Sequence, residues 1–154
     1  MDARLSAEQL ELRAAAAKLA DNLGPHSVLD LADDDRVARL EKAVTGTGWR
    51  NMRSDGATGV EVAIVAEEFA RCLVDVPFAG PVLADALRPS TAPTTIAVDG
   101  TAVDTRGIDR ALTLRDCALL AAPVGNAAPM VDLTGSCRAM AAAASRITLK
   151  TLIR

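Results

Sequence analysis

The segment Pro89-Ser90-Thr91-Ala92-Pro93 divides this chain of 154 residues into two parts with different hydrophobic patterns. Two prolines within five residues, separated by small residues, are typical of a connection between structural units. Apolar residues recur at helical spacing before this segment, whereas short strand-like runs separated by turn residues follow it. We therefore predict an α+β chain, in which an N-terminal four-helix unit (residues 1–88) is followed by a partial antiparallel β-domain (residues 94–154).

Capping residues and glycines predict the bounds of the first two helices. Ser6 and Gln9 have the spacing of a capping box, in which the two side chains satisfy free N–H groups at a helix start. This helix is expected to end at Gly24. The second helix is expected over residues 34–45, with an acidic run at its start, where the helix dipole favours negative charge, and with Gly46 and Gly48 breaking it at its end.

The next two helices are predicted from another cap and two prolines. Thr58 and Glu61 repeat the capping-box spacing before an amphipathic stretch, so a third helix is expected over residues 59–74. Pro77 is expected to terminate it, because proline interrupts helical hydrogen bonding. The fourth helix is expected to start at Pro81, since proline is favoured in a first helical turn, and to end near residue 88.

Two strand pairs are predicted after the proline-rich segment. Residues 94–98 and 101–103 flank Asp99-Gly100, a strong signal for a two-residue hairpin turn. Residues 111–114 and 118–122 form a second pair of apolar runs separated by polar residues. The chain after the link is therefore expected to form antiparallel strands.

The C-terminal part gives weaker and conflicting signals. Residues 130–133 are a weak strand candidate. Residues 139–145 are rich in alanine and favour a helix by propensity, whereas the residues after them alternate as in a strand. All 20 acidic residues precede residue 133, and four basic residues follow it, so this end has a charge of +4 against −7 for the rest. A solvated basic tail is expected, with an acidic or phosphate-bearing partner as the alternative.

The composition argues against several classes of protein. A net charge of −3, with two phenylalanines, one tryptophan and no tyrosine, disfavours a nucleic-acid surface built on base stacking. No apolar run is long enough for a membrane span, and the N-terminus lacks a secretion signal. Three widely spaced cysteines make a poor disulfide framework, so reduced thiols and a cytoplasmic location are expected.

No catalytic or metal-binding set stands out among the polar residues. His26 is the single histidine and is expected in an exposed loop, since no triad or zinc spacing surrounds it. Glu67 and Glu68 lie within the predicted third helix. Either could serve as a base only if burial raised its pKa, and a solvated helix face is expected instead.

Two further segments allow a functional and an ordinary interpretation. Residues 56–59 precede a helix and could hold a phosphate, although an ordinary loop and cap is expected because no strand or following lysine completes such a motif. The aspartates at residues 33–35 could bind a divalent cation, although helix-start electrostatics explain them more simply.

The stretch Glu67-Glu68-Phe69-Ala70-Arg71-Cys72-Leu73-Val74-Asp75-Val76-Pro77-Phe78-Ala79-Gly80-Pro81-Val82-Leu83-Ala84-Asp85-Ala86-Leu87-Arg88 carries a family resemblance. It resembles the end of the N-terminal helical domain of acyl-CoA dehydrogenases, above all the actinobacterial type built from unlike paired subunits. Further matches follow the family's order along the chain. They are Gln9-Leu10-Glu11-Leu12-Arg13, Gly48-Trp49, Ile96-Ala97-Val98-Asp99-Gly100, residues 119–124 and Val131-Asp132-Leu133-Thr134.

The resemblance implies a subunit or fragment of an FAD-dependent enzyme that oxidises an acyl-CoA to a 2-enoyl-CoA. In that family the helical domain forms one wall of the acyl pocket, so Val76, Pro77 and Phe78 become substrate-pocket candidates. Trp49 and Phe69 could line such a pocket or belong to an ordinary core. FAD would be shared with a longer acyl-CoA dehydrogenase-like subunit, or the chain would associate with itself.

The chain departs from the family pattern in two ways. The flavin-contacting Gly/Ser/Thr-rich motif is not recognisable after Pro93, and the region that carries the catalytic glutamate is absent. No catalytic or FAD-binding residue can therefore be assigned, and the chain is expected to be inactive without a fuller partner. A truncated gene product remains open, and a non-catalytic interaction or structural module derived from the family is the alternative.

Overall fold

The computed structural model describes residues 4–127, 136–141 and 145–147. The helices are α1 (Ala7–Leu23), α2 (Asp34–Thr47), α3 (Gly59–Arg71) and α4 (Ala79–Leu87). The strands are β1 (Thr95–Val98), β2 (Thr101–Val103), β3 (Arg110–Arg115), β4 (Ala118–Ala127), β5 (Cys137–Met140) and β6 (Ser145–Arg146). Two 3-10 segments, Val28–Ala32 and Trp49–Asn51, flank α2. Four helices preceding strands confirm the predicted α+β class, while the division into units 1–88 and 94–154 stays a prediction.

Both predicted capping boxes form at the helix starts. At α1, the Gln9 N–H donates to Ser6 Oγ at 3.2 Å, and the Ser6 N–H donates to Gln9 Oε1 at 3.0 Å. At α3, the Thr58 N–H donates to Glu61 Oε2 at 2.8 Å. The Gly24 N–H closes α1 by donating to the Ala20 carbonyl. Local polar side chains therefore set these bounds.

The predicted ends of α2 and α4 need small corrections. Helix α2 continues through Gly46 to Thr47, and it ends at Gly48, the second of the two glycines expected to break it, which has φ 72°. The left-handed conformation is open to glycine without a Cβ penalty, which favours Gly48 over Gly46 as the end. Helix α4 begins at Ala79, so Pro81 lies in its first turn rather than at its first residue.

The predicted end of α3 is wrong. The helix stops at Arg71, before Pro77 could act, and Leu73 has φ 51°. The Leu73 N–H donates to the Ala70 carbonyl at 3.1 Å, and the Val74 N–H donates to the Phe69 carbonyl at 2.9 Å. These two bonds are those of a Schellman ending, which is formed here around a leucine.

Strands β1 to β5 form a closed ring of pairings. β1 pairs with β2 and with β3, β2 pairs with β5, β5 pairs with β4, and β4 pairs with β3. The short β6 adds to β4. The β1–β3 pairing is parallel, and the others are antiparallel. The sheet therefore contains one parallel pairing that was not predicted.

Both predicted hairpins are present. In the first, Val98 pairs with Thr101 across Asp99 and Gly100. In the second, the turn lies at residues 116–117, with φ 49° and 58°. Positive φ at both turn positions gives the twist that suits a two-residue hairpin.

The predictions for the C-terminal part can be compared with the structure only at residues 136–141 and 145–147. Ala139 and Met140 lie in β5 and Ser145 lies in β6, so the helix favoured by alanine propensity is wrong at these positions. Pairing with β2 and β4 outweighs the local preference. The strand candidate at residues 130–133 and most of the basic end lie outside the described residues.

Helix α4 joins the helices to the sheet. Buried side chains of α1 to α4 form one core. Ala84 of α4 packs instead with Leu112 and Leu119 of the sheet. The Gly80 N–H donates to Asp104 Oδ2 at 2.8 Å, and a Cβ on Gly80 would clash with Thr95. The absence of a side chain at Gly80 lets α4 approach the sheet this closely.

None of the described helices combines the length and the apolar composition that a bilayer crossing requires.

Candidate functional site

A cavity of about 500 Å³ lies between α2, the 3-10 segment Trp49–Asn51, α4 and two loops that border the sheet. One face of α2 forms a wall, and α4 forms another. The proline-rich segment at residues 90–94 and the loop between β2 and β3 complete it. The lining residues are Asp34, Val37, Ala38, Glu41, Thr45, Gly48, Arg50, Asn51, Pro81, Ala84, Asp85, Arg88, Ser90, Thr91, Ala92, Pro93, Thr94, Arg106, Gly107 and Ile108. A volume of this size is within the range of small-molecule sites.

The α2 wall follows from helical geometry. Its lining residues are spaced by three or four positions, which places them on one face. Val37 and Ala38 supply apolar surface there, and Ala84 and Ile108 supply it from α4 and the β2–β3 loop. The cavity therefore has apolar walls with a small number of polar side chains among them.

Glu41 and Arg50 form an ion pair in the cavity wall. Arg50 Nη2 donates to Glu41 Oε2 at 2.7 Å, and Arg50 Nε donates to the Pro77 carbonyl at 2.7 Å. Partial burial alone would raise the pKa of Glu41, but the hydrogen bonds and charge of Arg50 hold it below its usual value. Both charged side chains therefore already have hydrogen-bond partners within the protein.

Asp85 has one satisfied and one unsatisfied carboxylate oxygen. Its Oδ2 accepts the Ser54 N–H at 2.8 Å. Its Oδ1 is buried and accepts no hydrogen bond from the residues that the structure describes. The residue is 5 % exposed and belongs to the cavity lining. A buried acceptor without a donor is uncommon in folded proteins, which singles out Asp85 within the site.

A buried ion pair lies next to the cavity. Arg36 Nη1 and Nη2 donate to the two carboxylate oxygens of Asp75, at 3.0 and 2.5 Å. Arg106, which lines the cavity, lies with Nη1 3.6 Å from Asp75 Oδ2. The hydrogen bonds from Arg36 to Asp75 raise the pKa of Arg36 above its usual value. This network fixes α2 and the β2–β3 loop relative to each other.

The three substrate-pocket candidates lie in the helical core. Val76, Pro77 and Phe78 are buried, and none of them lines the cavity. The Phe69 and Phe78 rings contact each other edge to face, with centroids 5.1 Å apart, and Trp49 lies half-buried beside Phe69. These aromatic residues pack as core. Their assignment to an acyl pocket stays a prediction.

The two adjacent glutamates of α3 have different surroundings. Glu67 is exposed as predicted, whereas Glu68 is buried, which corrects the expected solvated face. Arg13 Nε and Arg71 Nε each donate to Glu68 at 2.8 Å. The hydrogen bond from Arg13, followed by that from Arg71, holds the pKa of Glu68 below its usual value. A general base needs the opposite shift, so Glu68 acts in helix packing.

The remaining candidates have the ordinary roles that the sequence favoured. His26 is exposed in the loop after α1. Asp33 caps α2 by accepting the Arg36 N–H at 2.9 Å. Thr58 caps α3, and its N–H is bound by Glu61. Within residues 4–127, 136–141 and 145–147, no group of three or more acidic, histidine or cysteine side chains could hold a metal ion.

The two helices that border the cavity do not offer their starts to the diphosphate of a flavin dinucleotide. A diphosphate favours free N–H groups at a helix start. Helix α2 instead begins at the cavity with Asp34, whose negative charge opposes phosphate. At the start of α4, the Gly80 N–H is taken by Asp104, and Pro81 has none to offer. Neither helix start therefore offers FAD a site for its diphosphate.

The cavity was not anticipated from the sequence, although one signal for it exists. Helix α4 has the sequence AGPVLADAL, in which Asp85 is the one charged residue among apolar neighbours. A helix that is apolar on all sides is expected to be largely buried, and a buried carboxylate needs a hydrogen-bond partner. This pattern could have marked Asp85 as a functional candidate.

Comparisons with known proteins gave no match. No family model, no curated protein and no solved structure matches this chain.

Proposed function

We propose that the chain is a non-catalytic, acyl-binding subunit or fragment of an FAD-dependent enzyme of the acyl-CoA dehydrogenase type. Such an enzyme oxidises an acyl-CoA to a 2-enoyl-CoA. In this proposal a longer partner subunit holds FAD and supplies the catalytic base. The supporting observation is the cavity between the helices and the sheet, because the family resemblance assigns one wall of the acyl pocket to the helical part.

The cavity walls suit an acyl chain. Val37, Ala84 and Ile108 offer apolar contacts from three different elements. Burying an alkyl chain there removes apolar surface from water, which stabilises a complex by about 0.8 kcal/mol for each buried CH₂ group. The exposed Arg88 and Arg106 lie in the lining, where they can attract the phosphates of a CoA moiety that extends outside.

A non-catalytic role agrees with the electrostatics of the two engaged glutamates. The pKa values of Glu41 and Glu68 are lowered, and both carboxylates are bound by arginines. A base that removes the α-proton of a thioester works best with a pKa raised toward the working pH. The proposal therefore assigns proton removal to the partner.

Binding of octanoyl-CoA to the isolated chain tests the acyl-binding part of the proposal. Titration calorimetry, together with the fluorescence of the single tryptophan Trp49, should detect a saturable complex but no reduction of an electron-acceptor dye. Ala38→Phe, which fills the cavity from α2, should abolish binding. Ala14→Phe, on an exposed position of α1 outside the lining, is the matched control. Equal binding by the two variants would contradict the proposal.

Co-expression tests the partner. The chain produced with a longer acyl-CoA dehydrogenase-type subunit should give a yellow complex with flavin absorbance, which reduces an acceptor dye when acyl-CoA is added. A colourless mixture that separates on a sizing column would count against the flavoprotein assignment.

A non-catalytic interaction module is the second candidate function. The observation that favours it is the exposure of large apolar side chains at one 3-10 segment, where Val28 is 71 % and Leu29 is 86 % exposed. Analytical ultracentrifugation should then show self-association that Val28→Ser/Leu29→Ser removes. A monomeric wild-type chain would remove this candidate.

We place the protein in the cytoplasm, in keeping with its thiols. Cys72 and Cys117 form no disulfide. When expressing cells are fractionated, the chain should be found in the cytosolic fraction.

A further inference from the structure

We infer that the cavity recognises its ligand through an N–H group that hydrogen bonds to Asp85. The inference rests on the proposed function in one respect, because it takes the cavity to be the ligand site. It adds the chemical group that the site selects, namely the N–H of an amide or an ammonium.

The first observation is the unequal use of the Asp85 carboxylate. One oxygen is fixed by the Ser54 N–H at 2.8 Å, which holds the group in the cavity wall. The other oxygen is buried and accepts nothing from the described residues. A buried acceptor that is left without a donor destabilises the protein, so a ligand that supplies the donor gains that free energy on binding.

The second observation is that Arg50, a cation in the same lining, already has hydrogen-bond partners. Arg50 lines the same cavity, but its guanidinium donates to Glu41 and to the Pro77 carbonyl. It therefore serves those partners rather than Asp85. The missing donor can instead come from a molecule in the cavity.

The third observation concerns which molecule suits the site. Apart from Asp85, the α4 side of the cavity is formed by Pro81, Ala84 and the exposed Arg88. A ligand with an alkyl part and an N–H group satisfies the apolar wall and the carboxylate together. An N–H group donates without presenting a lone pair to the carboxylate, whereas an ester presents acceptors alone.

The experiment uses two probes that differ at one atom. N-methyloctanamide carries an N–H where methyl octanoate carries an oxygen, and both have the same alkyl chain. Calorimetric titration of the full chain should give binding of the amide about tenfold tighter than that of the ester, because a site built for a donor rejects a ligand without one. Octylamine tests the ammonium as the other source of the N–H.

Asp85→Asn tests whether Asp85 is the acceptor. The two side chains are nearly the same in shape, and the asparagine oxygen can still accept the Ser54 N–H. Its NH₂ group then replaces the unsatisfied oxygen, so the preference for the amide should disappear or reverse. Asp35→Asn, which changes an exposed carboxylate of α2 outside the lining, should keep the tenfold preference. Thermal unfolding monitored by circular dichroism verifies that each variant is folded.

The outcomes separate the inference from the proposed function. Tighter binding of either N–H probe than of the ester, lost in Asp85→Asn, supports the inference even if octanoyl-CoA fails to bind. Equal binding of amide, amine and ester overturns it even if octanoyl-CoA binds. An amide preference that survives in Asp85→Asn, or binding by none of the probes, overturns it as well.

Discussion

At the scale of single residues, the buried ion pair between Arg36 and Asp75 is the most consequential interaction. The two side chains are 8 % and 0 % exposed, and Arg36 also donates to the carbonyls of Leu23 and Asp30. One side chain thus connects α2 to the end of α1, to the 3-10 segment Val28–Ala32 and to the connection between α3 and α4. Removing one partner of such a pair leaves a buried charge behind, which costs more than the pair contributes.

We predict that Arg36→Met lowers the free energy of unfolding by about 3 to 5 kcal/mol, because Asp75 is then buried with only the longer contact to Arg106. Urea unfolding at pH 7 measures the change. Arg39→Met, on an exposed position of the same helix, should change it by about 0.5 kcal/mol at most. If Arg36→Met lowered the free energy of unfolding no more than Arg39→Met does, the ion pair would not contribute to stability as predicted.

Residues whose roles depend on near neighbours were predictable from the sequence, and residues with distant partners were not. Ser6, Gln9, Thr58 and Glu61 form the two capping boxes as predicted, because each box involves positions three residues apart. Asp85 finds its partner 31 residues away, at Ser54. No periodic pattern in the sequence identifies contacts between residues so far apart, so the cavity could not be predicted from the sequence and is seen only in the structure.

At the scale of elements, polar side chains connect α1 to α3. Gln9 Nε2 donates to Glu61 Oε1 at 2.7 Å, and Arg13 reaches Glu68 further along the same two helices. The hydrogen bond from Gln9, with that from Thr58, lowers the pKa of Glu61 from 4.5 to about 2. The pKa of Glu68 is also shifted downward, by its hydrogen bonds to Arg13 and Arg71. Both carboxylates therefore stabilise the folded state in their ionised form.

We predict that stability falls as the pH drops from 4.5 toward 2, since a carboxylate with a lowered pKa stabilises the fold above its ordinary pKa and loses that effect on protonation. Urea midpoints measured across this range test the decline. In Glu61→Gln the decline should be shallower than in the wild type. Glu67→Gln, which removes an exposed carboxylate of the same helix, should retain the full decline. Identical slopes for both variants would contradict this account.

Element types were predicted better than their ends. The hairpin around Asp99 and Gly100 formed as expected because a two-residue turn with positive φ is encoded locally. The end of α3 was misplaced because a leucine, rather than a glycine, adopts the left-handed conformation there. The strand at residues 137–140 was missed in part because alanine propensity favours helix, and pairing with β2 and β4 overrides it.

At the scale of the whole molecule, α4 is shared between the helical core and the sheet. Val82 packs with the helices, whereas Ala84 packs with Leu112 and Leu119. Two side chains of one short helix thus belong to different clusters. We expect the described helices and strands to unfold together, because loss of the sheet exposes one face of α4.

We predict that Leu119→Ala lowers the free energy of unfolding by about 2 to 5 kcal/mol, since Leu119 is 1 % exposed in the cluster under α4. Urea unfolding is followed by Trp49 fluorescence, which reports on the helices, and by far-ultraviolet circular dichroism, which reports on the whole chain. The urea midpoints from the two signals should shift equally. Leu114→Ala, at a position 62 % exposed on β3, is the control with little effect. A fluorescence midpoint unchanged by Leu119→Ala would mean that the helices unfold independently.

The closed ring of β1 to β5 has a consequence for how other polypeptides can associate with this protein. Each of these strands already has a neighbour on both sides. An incoming extended peptide, or the strand of a second copy, would have to break an existing pairing before it could add to the ring. Recognition of another chain is thereby directed to side-chain surfaces, on the helices and loops, rather than to main-chain hydrogen bonding.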